Sequence, residues 1–170
     1  MSNEPYPHTV LLSLGSNLGD RSAYLKKAII HLGRQTDIRN ISSVYETDPV
    51  GSIEQNDFLN LALELKTAFQ AHALMRVLLE TEKNLGRQRA GKQGPRTIDI
   101  DIIFFDDLIL NDDSLSIPHP RYAERNFVLV PLAEIAGEVR CPLRKTSVKE
   151  ILKNSKDAHT VRKLANALPD

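Results

Sequence analysis

Two carboxylates one residue apart, Asp99 and Asp101, interrupt the apolar run Ile98-Asp99-Ile100-Asp101-Ile102-Ile103-Phe104-Phe105. On a strand, side chains alternate between faces, so both acids point one way, ~6.6 Å apart along the backbone, and Ile98, Ile100 and Ile102 point the other. An apolar strand does not keep two like charges on one face without compensation, because burying unpaired charge is costly. Either that face is wet or something positive sits on it. A hard divalent cation such as magnesium, held by carboxylate oxygens beside a phosphate, suits the second case. Just upstream, Gly86 to Thr97 holds Arg87, Arg89, Lys92 and Arg96 with three glycines and no acid. Guanidinium forks match phosphate oxygens, and glycines permit close backbone approach. Together these read as a split polyphosphate site, arginines on one side and metal on the other. Neither Gly-x-x-x-x-Gly-Lys-Ser/Thr nor Gly-x-Gly-x-x-Gly occurs, so a nucleotide must be held another way.

Two more groups have chemical character. Phe58 and Asn60 share the non-leucine face of Phe58-Leu59-Asn60-Leu61-Ala62-Leu63-Glu64-Leu65. An aromatic beside a carboxamide suits a flat heterocycle, by stacking and paired hydrogen bonds. Ile117-Pro118-His119-Pro120 fixes a histidine between prolines, with Arg121, Arg125 and Phe127 following. His31 and His72 fall within helical stretches and read as structural.

The elements that must position these groups follow from periodicity. His8 to Leu14 reads as a strand ending in the turn Gly15-Ser16-Asn17-Leu18-Gly19-Asp20. A helix follows, capped by Asp20 or Ser22, with Leu25, Ala28, Ile29 and Leu32 at helical spacing and Gly33 as its stop. Ile38 to Glu46 reads as a second strand, Thr47 to Asp57 as a polar loop and Phe58 to Leu65 as a third strand. Ala71 to Leu85 reads as a helix stopped by Gly86, and Ile98 to Phe105 as the fourth strand. Strand, helix, strand, strand, helix, strand is the order of a ferredoxin-like α+β core: an antiparallel sheet with helices on one face. A hairpin near Leu108 to Ile117, a helical region near Val130 to Ala136 and one or two helices after Ser147 complete the expectation. That gives an αβα layering within one domain, residues 1–170, with a core of about 8–136 and a helical extension of about 137–170.

Length and composition suit a soluble single domain: 170 residues, 41% hydrophobic, 26% charged. The 22 basic and 22 acidic residues cancel, so the whole chain has no electrostatic pull toward nucleic acid or anionic membrane. No apolar run approaches the ~20 residues of a membrane span. The start, Met1 to Pro7, lacks the pattern of a secretory leader. The lone Cys141 excludes an internal disulfide and suits a reducing cytoplasm.

In order along the chain stand Gly15-Ser16-Asn17, Thr47 with Pro49 and Gly51, Phe58-Leu59-Asn60, Glu82 with Gly86-Arg87-x-Arg89, Gly94-Pro95-Arg96-x-x-Asp99-x-Asp101, and Pro118-His119 with Arg125 and Phe127. Together these resemble the 6-hydroxymethyl-7,8-dihydropterin pyrophosphokinases of folate biosynthesis, over roughly Thr9 to Ala136. The resemblance implies transfer of pyrophosphate from ATP to the pterin hydroxymethyl group, with AMP released. It implies two magnesium ions on Asp99 and Asp101, and catalytic work by these with Arg87, Arg89 and Arg96. It implies ATP contacts from Glu82, Arg87, Arg89, Arg96, Ile102, Ser116, His119 and Arg125. It implies pterin contacts from Gly15, Ser16, Asn17, Thr47, Asp48, Pro49, Val50, Phe58, Asn60 and Phe127. Loops Gly15 to Gly19, Asp48 to Asp57 and Gly86 to Thr97 would close over the substrates. The chain departs from several relatives in Gln93 before the Gly-Pro-Arg, in Phe58 where a tyrosine can stand, and in Pro120 after the histidine. A cytoplasmic monomer acting on small molecules, with no nucleic-acid or membrane partner, is expected. The competing readings are an RNA-binding module of the same element order, a small-ligand regulatory domain and an Asp-x-Asp phosphodiesterase. The first would display aromatics where Ile98 to Phe105 displays aspartates; the second needs no acidic pair beside an arginine loop; the third would hydrolyse rather than transfer.

Overall fold

The computed structural model describes residues 4–51, 54–88, 94–165 and 168. It is a mixed α/β structure with an antiparallel sheet and four α-helices. Strand β1 (His8–Ser16) leads into helix α1 (Arg21–Gly33), whose N-terminus is capped by the Asp20 carboxylate accepting from the Ala23 N–H. Strands β2 (Asp37–Ile41) and β3 (Val44–Thr47) occupy the stretch expected as one strand. The break falls at Ser42-Ser43. Ser42 Oγ accepts from the Ala62 N–H at 2.8 Å, and Ser43 donates its N–H and its hydroxyl to Glu134. Hydroxyl side chains that bond backbone and neighbours in this way interrupt a regular ladder.

Strand β4 (Phe58–Thr67), helix α2 (Ala71–Asn84) and strand β5 (Asp99–Phe105) follow. Next come β6 (Leu110–Asn111) paired with β7 (Ser116–Ile117), helices α3 (Asn126–Ala136) and α4 (Val148–Lys153), and strand β8 (Val161–Leu164). The six-stranded sheet runs β5-β1-β4-β3-β8, with β2 also paired to β4. The expectation of helices only beyond Ser147 is corrected: one short helix forms there, and the chain then adds β8 to β3. Val161 to Leu164 alternates too briefly to announce a strand.

Sheet alternation divides the core. Leu12, Leu14, Leu61, Leu63, Leu65, Ile100 and Ile102 pack under Leu25, Ala28 and Leu32 of α1 and Leu74 and Leu78 of α2. On the other face Leu11, Ala62, Ile103 and Phe104 pack against Val128, Leu129 and Leu132 of α3 and Val148 and Ile151 of α4. The β1–β5 register slips by one residue between Leu11 and Leu12, so Ile103 is an extra residue in β5. That bulge turns Ile103 and Phe104 both toward α3 and leaves Phe105 under the α1–α2 face. Asp99 and Asp101 lie on the α3 face and line a cavity there with Arg125 and Phe127. Among the described residues, no helix is long and apolar enough to cross a membrane.

Candidate active site

The antiparallel register builds the site in rows. Asp99 of β5, Gly15 of β1 and Asn60 of β4 lie directly opposite one another, and Tyr45 of β3 extends the row. Asp101, Ser13 and Ala62 form the next row. At strand spacings of ~4.8 Å, the carboxylates and the carboxamide stand about 10 Å apart across the sheet. Gly15 keeps the floor between them flat: a Cβ there would lie 2.8 Å from Asn60 Oδ1 and 3.6 Å from the Phe58 ring. Asn60 and Thr47 are both buried, and Asn60 Nδ2 donates to Thr47 Oγ1 at 2.7 Å. Phe58, at the start of β4, and Phe127, in the first turn of α3, line the same cavity, with the Arg125 guanidinium carbon 5.6 Å from the Phe127 ring centre.

The charged half is tightly bonded. Asp99 Oδ1 takes a 2.5 Å bond from Arg87, and Asp99 Oδ2 a 2.5 Å bond from Arg96. The same Arg87 nitrogen lies 2.6 Å from Glu82 Oε1, which also accepts the Ile100 N–H at 2.8 Å. Glu82 is 3% exposed, so α2 presents it as a buried anchor that joins the arginine to the backbone of β5. Asn17 performs a related task. Its N–H donates to the Arg96 carbonyl at 3.0 Å and its Oδ1 accepts the Arg96 N–H at 2.8 Å. Its Nδ2 donates to Gln55 Oε1 and the Asn56 carbonyl. His119 is tied to the acidic strand through its N–H to the Ile103 carbonyl, 3.1 Å, and its Nδ1 faces the Arg121 N–H at 3.1 Å. Burial first, then the Arg125 charge, lowers its pKa to about 4, so its ring is neutral at neutral pH.

Asp101 carries the strain of this crowding. Burial pushes its carboxyl up to about 7, reinforced by the charges of Asp99 and then Glu82. The folded protein therefore keeps a proton on Asp101 over a range in which the unfolded chain, at 3.8, has lost it. Stability falls as pH rises from about 4 to about 7, where the folded group finally ionises. Asp101→Asn is expected to stabilise the metal-free protein at about pH 8 by about 2 kcal/mol, roughly 5 °C in melting temperature, and to leave it unchanged near pH 3. Calorimetry in chelator giving equal differences at both pH values would remove this account.

The two halves meet in a cavity of about 670 Å³, within the usual range for small-molecule sites. Of the residues singled out from sequence, Gly15, Thr47, Val50, Phe58, Asn60, Arg87, Arg96, Asp99, Asp101, Arg125 and Phe127 line it.

The model of the 7,8-dihydro-6-hydroxymethylpterin-pyrophosphokinase family matches residues 11–137, about three quarters of the chain. The chain belongs to this family. The pyrophosphokinase is 45% identical over 130 residues to the 2-amino-4-hydroxy-6-hydroxymethyldihydropteridine pyrophosphokinase of Bacillus subtilis, covering 75% of this chain and 78% of that one. It is 41% identical over 142 residues to the enzyme of the same name from Aquifex aeolicus, covering 84% and 89%. Its fold superposes on a crystal structure of Plasmodium falciparum HPPK-DHPS with a TM-score of 0.67 at 17% identity, over 89% of this chain; it spans 45% of that longer one.

Other residues named from the family pattern stand outside the cavity lining of this pyrophosphokinase. Ile102 is buried under α1 and α2. Ser16 is wholly buried with its hydroxyl unpartnered, and Ser116 Oγ donates to Asn111 Oδ1. Glu82 and Asn17 act from behind as described. Asp48 and Pro49 continue the chain from Thr47 without lining the cavity, and His119 sits beside it. Arg89, Lys92 and Gln93 lie outside the described residues. Sequence reading left out Ser13, Gln55 and Gln88, which do line the cavity, as does Arg121, named with the histidine segment. Ser13 was readable, being two residues from Gly15 on the same strand face; Gln55 lies in a loop, where no periodicity identifies it.

Proposed function

We infer that this pyrophosphokinase moves the pyrophosphoryl group of ATP to the hydroxymethyl oxygen of 6-hydroxymethyl-7,8-dihydropterin, with both substrates side by side in the one cavity. The row Asp99–Gly15–Asn60 carries the reading: an anionic, arginine-rich end beside a flat floor closed by a buried carboxamide. The pterin ring lies on Gly15 between Phe58 and Phe127, its polar edge toward Asn60 and Thr47. The triphosphate lies toward Arg87, Arg96, Arg125 and His119, with Arg89 as a further contact. The hydroxymethyl oxygen bonds to the β-phosphorus, the bond from that phosphorus to the α-phosphate oxygen breaks, and AMP departs.

Phosphoryl transfer leaves the protein mainly positioning and charge stabilisation. Arg87, Arg96 and Arg125 neutralise the polyphosphate as charge moves to the leaving AMP. His119, uncharged with its Nδ1 facing an N–H, has its other ring nitrogen free to donate to a phosphate oxygen. The hydroxyl proton passes to an oxygen of the Asp99–Asp101 pair. Those two carboxylates fit magnesium, two ions by the family resemblance: the donors are hard oxygens on one strand face, and the like charge that adds to burial in raising Asp101 is what a cation would relieve. Asp99 and Asp101 would hold the metal beside the phosphates; among the described residues no cluster of three or more acidic, histidine or cysteine side chains suited to a metal ion is found. When bound, the metal polarises the phosphates and lowers the pKa of the attacking hydroxyl.

The strand order β5-β1-β4-β3, with α1 and α2 on one face, supports a ferredoxin-like core with helices layered on both faces. We take residues 1–170 as one domain working as a cytoplasmic monomer; the buried free thiol of Cys141 supports the reducing compartment. An RNA platform is disfavoured, since the open sheet face presents carboxylates. Incubation with ATP, magnesium and the hydroxymethyl-dihydropterin is expected to give AMP; ADP, or no nucleotide turnover, would reject the reading. Asn60→Ala is expected to weaken pterin binding about tenfold, because polar groups of the buried ring edge lose their partner. Unchanged pterin affinity by titration calorimetry would move the ring elsewhere.

A further inference from the structure

We propose that Ser155 to Leu164, beyond the stretch matched by the family, is a positioning element for the acceptor half of the cavity, with Asp157 its principal residue; this rests on the function inferred above. Helix α3 needs outside help at its start. Its N-cap residue, Arg125, offers no side-chain cap, and the first N–H groups of any helix lack intrahelical partners. Asp157 supplies one. Its Oδ2 accepts the Asn126 N–H at 2.7 Å, and its backbone carbonyl accepts Asn126 Nδ2 at 3.0 Å. The carboxylate is itself held: Oδ1 meets the His159 N–H at 3.0 Å and the His159 ring at 2.5 Å, and the side chain is 6% exposed. Phe127 is the next residue after Asn126 and Arg125 the one before, so this cap sets where the stacking ring stands.

The same segment grips the opposite wall. Strand β8 pairs with β3, setting Val161 opposite Thr47 and Arg162 opposite Glu46. Without β8, β3 would be an unpaired sheet edge on that side. Arg162 reaches Glu46 at 2.9 Å and Asp57, the residue before Phe58, at 3.5 Å. Arg21 binds Glu46 at 3.0 Å and the Asp57 carbonyl at 2.9 Å from the other side. One short stretch therefore fixes Phe127 on α3 and, through β3, Thr47 and Phe58, the surfaces between which a flat ring lies. A separate brace, Tyr45 and Ser43 to Glu134, keeps α3 docked on β3 when Asp157 is altered.

The test measures equilibrium binding of hydroxymethyl-dihydropterin and, separately, of ATP to the full chain. Asp157→Ala is expected to weaken the pterin about fivefold, the scale of a lost helix cap, and to move ATP less than about twofold, since Arg125 adjoins the cap but Arg87 and Arg96 stand on other elements. Asp157→Asn keeps an oxygen for the Asn126 N–H and is expected to restore pterin binding to within about twofold. Arg162→Ala, the second probe, is expected to weaken the pterin about threefold while sparing ATP. Unchanged pterin affinity in both alanine variants overturns the proposal. So does an equal loss for both ligands that Asp157→Asn fails to restore. No pterin binding by the parent chain would instead strike the function itself.

Discussion

Asp99→Ala is expected to lower kcat by about a thousandfold or more, a loss of ~4 kcal/mol in transition-state stabilisation, with the fold retained. Asp99 is the carboxylate on which both guanidinium groups converge, and it shares a strand face with Asp101. Removing it leaves a single acid for the metal and takes one carboxylate away from Arg87 and Arg96, with Arg87 still paired to Glu82. The loss should therefore fall on the chemical step and not on nucleotide capture. ATP affinity in chelator is expected to hold or rise, and magnesium dependence to shift to much higher concentration. A variant turning over at near-normal rate with ordinary magnesium would end the metal assignment of this strand.

Arg87→Ala is expected to cost about a hundredfold in kcat, ~3 kcal/mol, and in addition to destabilise the protein by about 2–3 kcal/mol. The two losses have different origins. Turnover suffers because a cation that stabilises charge on the departing nucleotide is gone. Stability suffers because Arg87 is the cation set against Glu82, a carboxylate that is 3% exposed. The double variant Arg87→Ala/Glu82→Gln separates them: it keeps an acceptor for the Ile100 N–H but discards the buried charge. It should recover most of the melting temperature and none of the rate. Recovery of both together would mean that Arg87 acts only as a structural counterion.

Strand alternation was the most legible signal. Leu59, Leu61, Leu63 and Leu65 pack together on one face and leave Asn60 on the other, as their spacing requires. The helical stripes of α1 and α2 were equally plain, since Leu25, Ala28, Leu32, Leu74 and Leu78 are buried. What sequence concealed depends on partners distant in the chain. The bulge at Ile103 follows from the β1–β5 pairing; strict alternation would set Phe104 beside Ile100 and Ile102, whereas it packs on the α3 face. Helix α3 begins at Asn126, four residues earlier than periodicity suggested, because Pro131 suits the first turn of a helix while Asp157 caps the actual start from afar. Within the site, residue type identified Asp99, Arg87 and Asn60. It did not distinguish the groups facing the cavity from those holding them: Glu82 and Asn17 stand outside the lining and brace it from behind.

Asn17 has a consequence for the order in which the cavity fills. One carboxamide bonds the nucleotide-side backbone at Arg96 and the acceptor-side loop at Gln55 and Asn56. Displacing either loop strains the bonds to the other, so the two halves do not respond to their ligands independently. Occupation of one half that draws its loop inward lowers the work of closing the second. By thermodynamic reciprocity, the factor by which ATP tightens the pterin must equal the factor by which the pterin tightens ATP. A single buried side chain of β1's trailing turn thus ties the two loops together, and through it the two binding equilibria would be coupled.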